Sequence, residues 1–174
     1  DVVAAYDKWK AALEVYRRNF SHPVEEMDLS NVQSSAIAIE QHEPDMIIGG
    51  PPCQDFSSAG KRDEDGGRGN LTIHYAKIIS IVRPKWFVME NVARITKTQK
   101  LIEAKEIFKK AGYGLSQQVL DASYCGVPQK RLRFFLIGKL HEMDGFMGQF
   151  LNSGLSIKPM TMRDYFGDSL GIEY

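Results

Sequence analysis

Apolar positions along the chain fall into two alternating patterns. Short apolar runs of strand length occupy residues 2–6, 45–50, 86–90, 115–121 and 132–138. Between them, apolar residues recur at helical spacing. Trp9, Ala12, Val15, Tyr16 and Phe20 make the first stripe, and Val32, Ala36 and Ile39 a weaker one within residues 30–40. Leu71, Tyr75, Ile78, Ile79 and Val82 make the third, and Leu101, Ala104, Ile107, Phe108 and Ala111 the fourth, within residues 100–111. The punctuation agrees. Gly49-Gly50-Pro51-Pro52 stops one strand because two prolines cannot continue a ladder, Arg83-Pro84 ends the third helix, and Gly112 stands where a left-handed cap closes the fourth. Strand and helix in alternation predict an α/β, doubly wound and mostly parallel sheet with helices on both faces.

Two stretches break this order. Residues 51–70 are irregular, with Gly at 60, 66, 67 and 69 and charges of both signs, and a loop of that length inside a domain is usually functional. After Gly138 the pattern decays into glycine-punctuated sequence. A boundary near Lys139 separates residues 1–139, the patterned core, from residues 140–174, which lead away from it.

Composition narrows the class. The chain has 174 residues, 43% of them apolar and 10% aromatic, with charges of mixed sign and no internal repeat. That excludes a disordered chain, a collagen-like repeat and a coiled coil. No apolar run approaches the roughly 18 residues of a membrane span. Two cysteines do not make a disulfide framework, and no signal-like segment follows Asp1, so a reducing cytoplasmic setting is expected. Lys and Arg total 22 and Asp and Glu total 22, which gives no net basic charge with which to grip a polyanion.

In an open parallel sheet, ligands bind beyond the carboxyl ends of the strands. Three sets of reactive side chains fall there. Cys53 and Gln54 follow the strand at 45–50, Glu90 and Asn91 close the strand at 86–90, and Gln129, Arg131 and Arg133 open the last strand, pointing to one side if period-2 alternation already holds. A thiol, a carboxyl group and arginines suit covalent attack on an electron-poor ring. The thiolate is the nucleophile, a carboxyl kept protonated by burial donates to a ring nitrogen, and arginine holds a carbonyl oxygen. Each residue alone has an ordinary reading: a packed thiol, a turn cap, a solvated strand face. Cys125 keeps the ordinary reading, as a structural cysteine.

The segments Gly49-Gly50-Pro51-Pro52-Cys53-Gln54-Asp55-Phe56-Ser57, Phe87-Val88-Met89-Glu90-Asn91-Val92 and Gly126-Val127-Pro128-Gln129-Lys130-Arg131-Leu132-Arg133 together resemble the three catalytic signatures of the cytosine-5 DNA methyltransferases, in that family's order. The similarity runs from about Val3 to Asp168. It implies a Rossmann-like S-adenosylmethionine-dependent methyltransferase fold, here incomplete, acting on duplex DNA. By this resemblance Cys53 adds to carbon 6 of a cytosine rotated out of the duplex, Glu90 hydrogen-bonds the ring nitrogen and exocyclic amine, and Arg131 assists at the carbonyl. Flipping is required because the ring carbons cannot be reached inside a stack. The resemblance makes residues 57–70 a mobile loop that closes over the base, with Gln54, Ser57, Gly60, Lys61 and Arg68 facing the substrate. On the S-adenosylmethionine side it places Asp7 on the ribose hydroxyls, with Lys8 beside it and Trp9 packing on the adenine. Asp28 accepts from the adenine amine next to Leu29, and Pro52 and Leu71 line the methionine part. No metal is implied.

The family's Phe-x-Gly-x-Gly turn does not precede Val3, and its target-recognition domain does not follow residues 158–167. The expectation is therefore a catalytic middle: a fragment, or one part that works with a complementing subunit or the remainder of its chain. The isolated 174 residues are expected to bind S-adenosylmethionine weakly. A prokaryotic restriction-modification or orphan system, with a cytoplasmic, nucleoid-associated enzyme, is the expected setting. Two rivals stay open: the tRNA-acting branch of the same family, and a non-catalytic DNA-bound paralogue, against which retention of Cys53, Glu90, Arg131 and Arg133 argues.

Overall fold

The computed structural model describes residues 1–52 and 71–167. Strands β1 (Ala5–Asp7) and β2 (Val24–Glu26) form a parallel two-stranded ribbon connected through helix α1 (Lys10–Asn19). Helix α2 (Val32–Glu40) then leads to the main sheet. Strands β3 (Met46–Gly49), β4 (Trp86–Val92), β5 (Tyr113–Asp121) and β6 (Leu132–Leu140) lie there in the order β3-β4-β6-β5. Helix α3 (Leu71–Val82) connects β3 to β4, and α4 (Gln99–Lys110) connects β4 to β5. The fold is Rossmann-like α/β, as the alternation predicts. One direction differs: β3 and β4 are parallel, but β6 runs antiparallel to both β4 and β5. Without a helix between them, β5 and β6 form a hairpin-like pair, and such a connection reverses direction.

The core lies between this sheet and helices α3 and α4. Alternate residues of β4 and β6 point inward, so Phe87, Met89, Phe134 and Leu136 are buried together with Tyr75, Ile79, Leu101 and Phe108. Phe87 stacks on Phe108 with ring centroids 4.2 Å apart and meets Tyr113 edge-on at 5.1 Å, both favourable aromatic geometries. Gly138 is required across from Phe87 (β4 to β6 register), because a Cβ there would lie 2.0 Å from its ring. Helix α3 matches its predicted bounds and stripe. Helix α4 begins at a Thr98 cap, whose side chain accepts from Leu101 N–H, and ends before Gly112 at φ +94°.

Helix α1 departs from its predicted face. Leu13 is its buried residue, while Trp9, Val15 and Phe20 of the apolar stripe are exposed. The ribbon beneath α1 is only two strands wide, and it covers one turn of the helix rather than the whole stripe. Beyond β6 the chain packs back on the β5 side of the sheet. Asp144 accepts from Leu115 N–H at 2.8 Å, Met147 N–H donates to Ser116 Oγ at 2.9 Å, and Met160 N–H donates to the Ser123 carbonyl at 2.7 Å. Short helices α5 (Gly148–Ser153) and α6 (Met162–Phe166) follow, the latter opened by a Thr161–Asp164 capping box.

Candidate active site

The carboxyl end of β4 carries the reactive pair. On this strand Phe87, Met89 and Asn91 point to the core, so alternation turns Glu90 to the opposite face. Val92 faces Arg133 across the β4–β6 ladder, and that register brings the guanidinium diagonally onto Glu90. Arg133 Nε donates to Glu90 Oε1 at 2.9 Å, and Arg133 also donates to the Leu132 carbonyl. The side chain of Glu90 is 39% exposed and that of Arg133 24%. Glu90 thus meets a cation at the rim of the sheet.

The loop after β3 comes to the same place. A Cβ on Gly50 would lie 3.3 Å from Glu90 Oε2, so the backbone entering Pro51-Pro52 passes directly over the carboxylate. Asn91, 4% exposed, ties the two together: its Nδ2 donates to the Pro51 carbonyl at 2.8 Å while its Oδ1 accepts from Val92 N–H. Asn91 is thus a positioning residue, holding the approach to residue 53 against the end of β4. Cys53, Gln54, Ser57, Gly60, Lys61 and Arg68 lie outside the described residues.

The three residues expected on one side of the last strand separate. Period-2 alternation begins only at Leu132, because Gln129 N–H closes a tight turn on the Val127 carbonyl and Arg131 N–H donates to Asp121 Oδ1 at 3.1 Å. Gln129 and Arg131 are exposed, and it is Arg133 that reaches Glu90. This pairing was legible in principle from the alternation counted back from the buried Phe134 and Leu136.

The second group of predicted residues sits on the ribbon. Asp7 ends β1, and its Oδ1 accepts from Trp9 N–H at 2.7 Å, leaving the indole 70% exposed. Asp28 follows β2. Its Oδ2 meets Lys8 Nζ at 2.5 Å, and its Oδ1 accepts from both the Ser30 amide and hydroxyl. The Lys8 hydrogen bond, then those from Ser30, hold the Asp28 carboxyl well below the usual carboxylate range. Leu29 and Leu71 are half-buried and Pro52 is exposed. One residue that the sequence reading passed over belongs here. His74 lies one turn beyond Leu71 on α3, its Nδ1 is buried with no hydrogen-bond partner among the described residues, and Asp28 is within electrostatic reach of it. Burial, then Lys77, lowers its pKa, and Asp28 opposes them. Asp7, Asp28 and the exposed Trp9 lie on the ribbon as residues that could hold an adenosine, the acids by accepting hydrogen bonds and the indole by packing. Among the described residues there is no cluster of His, Cys, Asp and Glu that could hold a metal ion, and no helix long and apolar enough to cross a membrane.

The type II methyltransferase M.HindV of Haemophilus influenzae is 52% identical over the whole chain, and M.HgiDI of Herpetosiphon aurantiacus is 47% identical, again over the whole chain. The chain spans 57% and 56% of the length of these two relatives. Among solved structures, the S. pombe Dnmt2 methyltransferase matches with a TM-score of 0.76 at 20% identity, covering 95% of this chain and 51% of its own, a likeness of fold alone. A DNMT2 variant from Spodoptera frugiperda matches with a TM-score of 0.68 at 26% identity, covering 82% of this chain and 43% of its own. The family model for C-5 cytosine-specific DNA methylases matches residues 1–170, and with the carboxylate, the arginine and the asparagine-tied loop gathered at one sheet edge, the chain belongs to that family.

Proposed function

We propose that this chain carries the catalytic centre of a DNA cytosine-5 methyltransferase of a type II restriction-modification system, acting in the cytoplasm of a prokaryote. The observation that carries the reading is the convergence of Glu90, Arg133 and the Asn91-held Pro51-Pro52 loop at the carboxyl end of β4. Residues 140–174 lead from this core toward target recognition, and duplex DNA is the partner.

In this mechanism the Cys53 thiolate adds to carbon 6 of a cytosine turned out of the duplex. Addition sends an electron pair toward ring nitrogen 3 and the carbonyl. Glu90, as the carboxylic acid, donates its proton to that nitrogen while its other oxygen accepts from the exocyclic amine, and Arg133 holds the side chain in place. Arg131, exposed at the same rim, is the arginine that reaches the carbonyl, with Gln129 beside it. S-adenosylmethionine, when bound, supplies the methyl group that carbon 5 takes up. Asp7, Lys8, Trp9, Asp28, Leu29, Pro52 and Leu71 hold that cofactor, and His74 completes the set. Loss of the carbon 5 proton with expulsion of Cys53 restores aromaticity and the free thiolate. Closure of residues 57–70, with Gln54, Ser57, Gly60, Lys61 and Arg68, excludes water from the adduct.

Fluorine at carbon 5 blocks the final proton loss, so DNA containing 5-fluorocytosine is expected to become covalently attached to the enzyme and to survive denaturing electrophoresis. Cys53→Ser is expected to give no adduct. A stable adduct in that variant would place the nucleophile elsewhere.

A further inference from the structure

A tyrosine stands where the layer beneath the site is otherwise apolar. Tyr75, on α3, is 8% exposed within the cluster that holds Ile79, Phe87, Met89 and Phe108. It meets the rings of Phe87 and Phe108 edge-on, each at 6.4 Å. A phenylalanine would fill the same space, and burying a hydroxyl in such surroundings costs free energy unless it finds a partner. This hydroxyl finds two. Tyr75 Oη donates to the Val88 carbonyl at 3.0 Å and to the Ile47 carbonyl at 3.3 Å, one hydrogen shared between β4 and β3. Burial, and after it Tyr113, holds the hydroxyl well above the usual tyrosine value, so it stays a donor at neutral pH.

The bridge sits directly below the site. Val88 lies two residues before Glu90 and is paired with Ile48 in the β3–β4 register. Ile47 lies three residues before Gly50, where the loop passes over the Glu90 carboxylate. The ring abuts the last residue of β3: a Cβ on Gly49 would lie 2.5 Å from Tyr75 Cε2, which leaves no room for a side chain there. One step further along, Asn91 Nδ2 donates to the Pro51 carbonyl. The exit from β3 is thus held at two points, by Tyr75 below and by Asn91 beyond. Tyr113 supplies the contrast. It is 2% exposed, and its hydroxyl donates to the Pro84 carbonyl at 2.6 Å, at the opposite end of β4 from Glu90.

We infer that Tyr75 is a positioning residue for methyl transfer: its hydroxyl fixes the spacing of β3 and β4 under the reacting groups, and through residues 49–52 it sets where the Cys53 thiol stands relative to Glu90. The inference rests on the methyltransferase reading and deepens it. Tyr75 acts through the two strands rather than on the base, and attack by a thiol on a ring carbon is sensitive to small errors of placement.

The test sets Tyr75→Phe beside Tyr113→Phe in the full chain. Each removes one buried hydroxyl and keeps the ring, so both are expected to lower the midpoint of chemical denaturation by similar amounts. Only Tyr75→Phe is expected to slow single-turnover methyl transfer, by about tenfold, part of the loss of up to about 10²-fold that a misplacement on the order of 1 Å causes. Adduct formation on 5-fluorocytosine DNA is expected to slow in proportion, while the KM for S-adenosylmethionine and the Kd for duplex DNA stay within about twofold. Hydrogen exchange over residues 49–54, followed without DNA or cofactor, is expected to quicken in Tyr75→Phe alone. Equal rates of methyl transfer in the two variants would overturn the inference and leave the Tyr75 hydroxyl a bond of the fold only. So would a raised KM or Kd with the transfer rate kept. If the unsubstituted protein transfers no methyl group to DNA, the proposed function fails, and the exchange contrast still decides whether the Tyr75 hydroxyl holds the exit from β3.

Discussion

The main sheet and the β1–β2 ribbon solve the same task by different means. Each places acidic side chains at the carboxyl end of parallel strands. On β4, seven residues long, Glu90 rides on a layer of fully buried Phe87, Met89, Phe134 and Leu136. On the ribbon, whose strands have three residues each, no strand residue is fully buried. The extended hydrophobic cluster draws all its members from residues 73–136, and α1 contributes to burial through Leu13 alone. Asp28 is ordered instead by Lys8 and Ser30. Glu90 stands on a packed strand, which salt and pH hardly touch, although its carboxylate is also held by Arg133. Groups assigned to the cofactor are fixed by charge and hydrogen bonds, which both conditions weaken.

The largest expected contrast is catalytic. Glu90→Gln keeps the size of the side chain but removes the acid, and methyl transfer is expected to fall by about 10²–10⁴, the usual worth of a general acid or base. Asp28→Asn, on the ribbon, is expected to raise the KM for S-adenosylmethionine by roughly tenfold with kcat nearly kept, as loss of one charged hydrogen bond predicts. Steady-state kinetics at varied cofactor concentration separates the two. A kcat collapse in Asp28→Asn would erase the distinction between the regions.

Next comes stability. Phe87 is 0% exposed and meets three further rings, so Phe87→Ala is expected to cost about 3–5 kcal/mol in chemical denaturation. Leu13→Ala removes the buried side chain of α1, the helix that packs on β1 and β2. Its expected signature is local: faster hydrogen exchange in β1 and β2, with the amides of β4 and β6 unchanged. Uniform loss of protection would show the ribbon and the sheet to be one cooperative unit.

A smaller effect is expected at the joint between the β3 loop and β4. Asn91→Ala leaves the Pro51 carbonyl without its donor, and the approach to Cys53 loses its anchor. A misplacement on the order of 1 Å costs up to about 10²-fold. The fall is expected in kcat, with the KM for the cofactor constant and the rate of adduct formation on 5-fluorocytosine DNA reduced in proportion.

Much of the packed region was legible in the sequence, because its signals are local and redundant. Leu71–Val82 was bounded by a full apolar stripe and by Pro84, and Gly112 marked the end of α4. Glu90 was legible as the residue closing the strand at 86–90, although β4 runs on to Val92. What failed depends on partners rather than on pattern. The stripe on α1 was real, but which part of it is covered depends on the narrow sheet below, and Trp9, Val15 and Phe20 stayed outside. The reversed direction of β6 leaves no trace in a strand's own residues. The choice between Arg131 and Arg133 turned on where alternation starts, which the Asp121–Arg131 hydrogen bond sets from ten residues away.

The finest test of the comparison is pH. Asp28 has its pKa depressed by Lys8 first and Ser30 second, so the stability it contributes is present above the unfolded carboxylate value of about 4 and is lost as pH falls below it. Tyr113 shows the opposite sign in the main sheet. Burial pushes its hydroxyl up to about 12 while that hydroxyl donates to the Pro84 carbonyl at 2.6 Å. Its contribution is present below the unfolded tyrosine value of about 10 and is lost as pH rises from there toward 12. Acid is thus expected to loosen the ribbon first and alkali the core, and region-resolved hydrogen exchange follows each. Lys8→Met is expected to flatten the acid limb in β1 and β2 without altering β4, and added salt to do the same in part, since the Lys8 side chain is exposed. Tyr113→Phe is expected to flatten only the alkaline limb. If Lys8→Met left the acid limb of the ribbon unchanged, the order around Asp28 would rest on packing after all, and the two regions would differ in extent but not in kind.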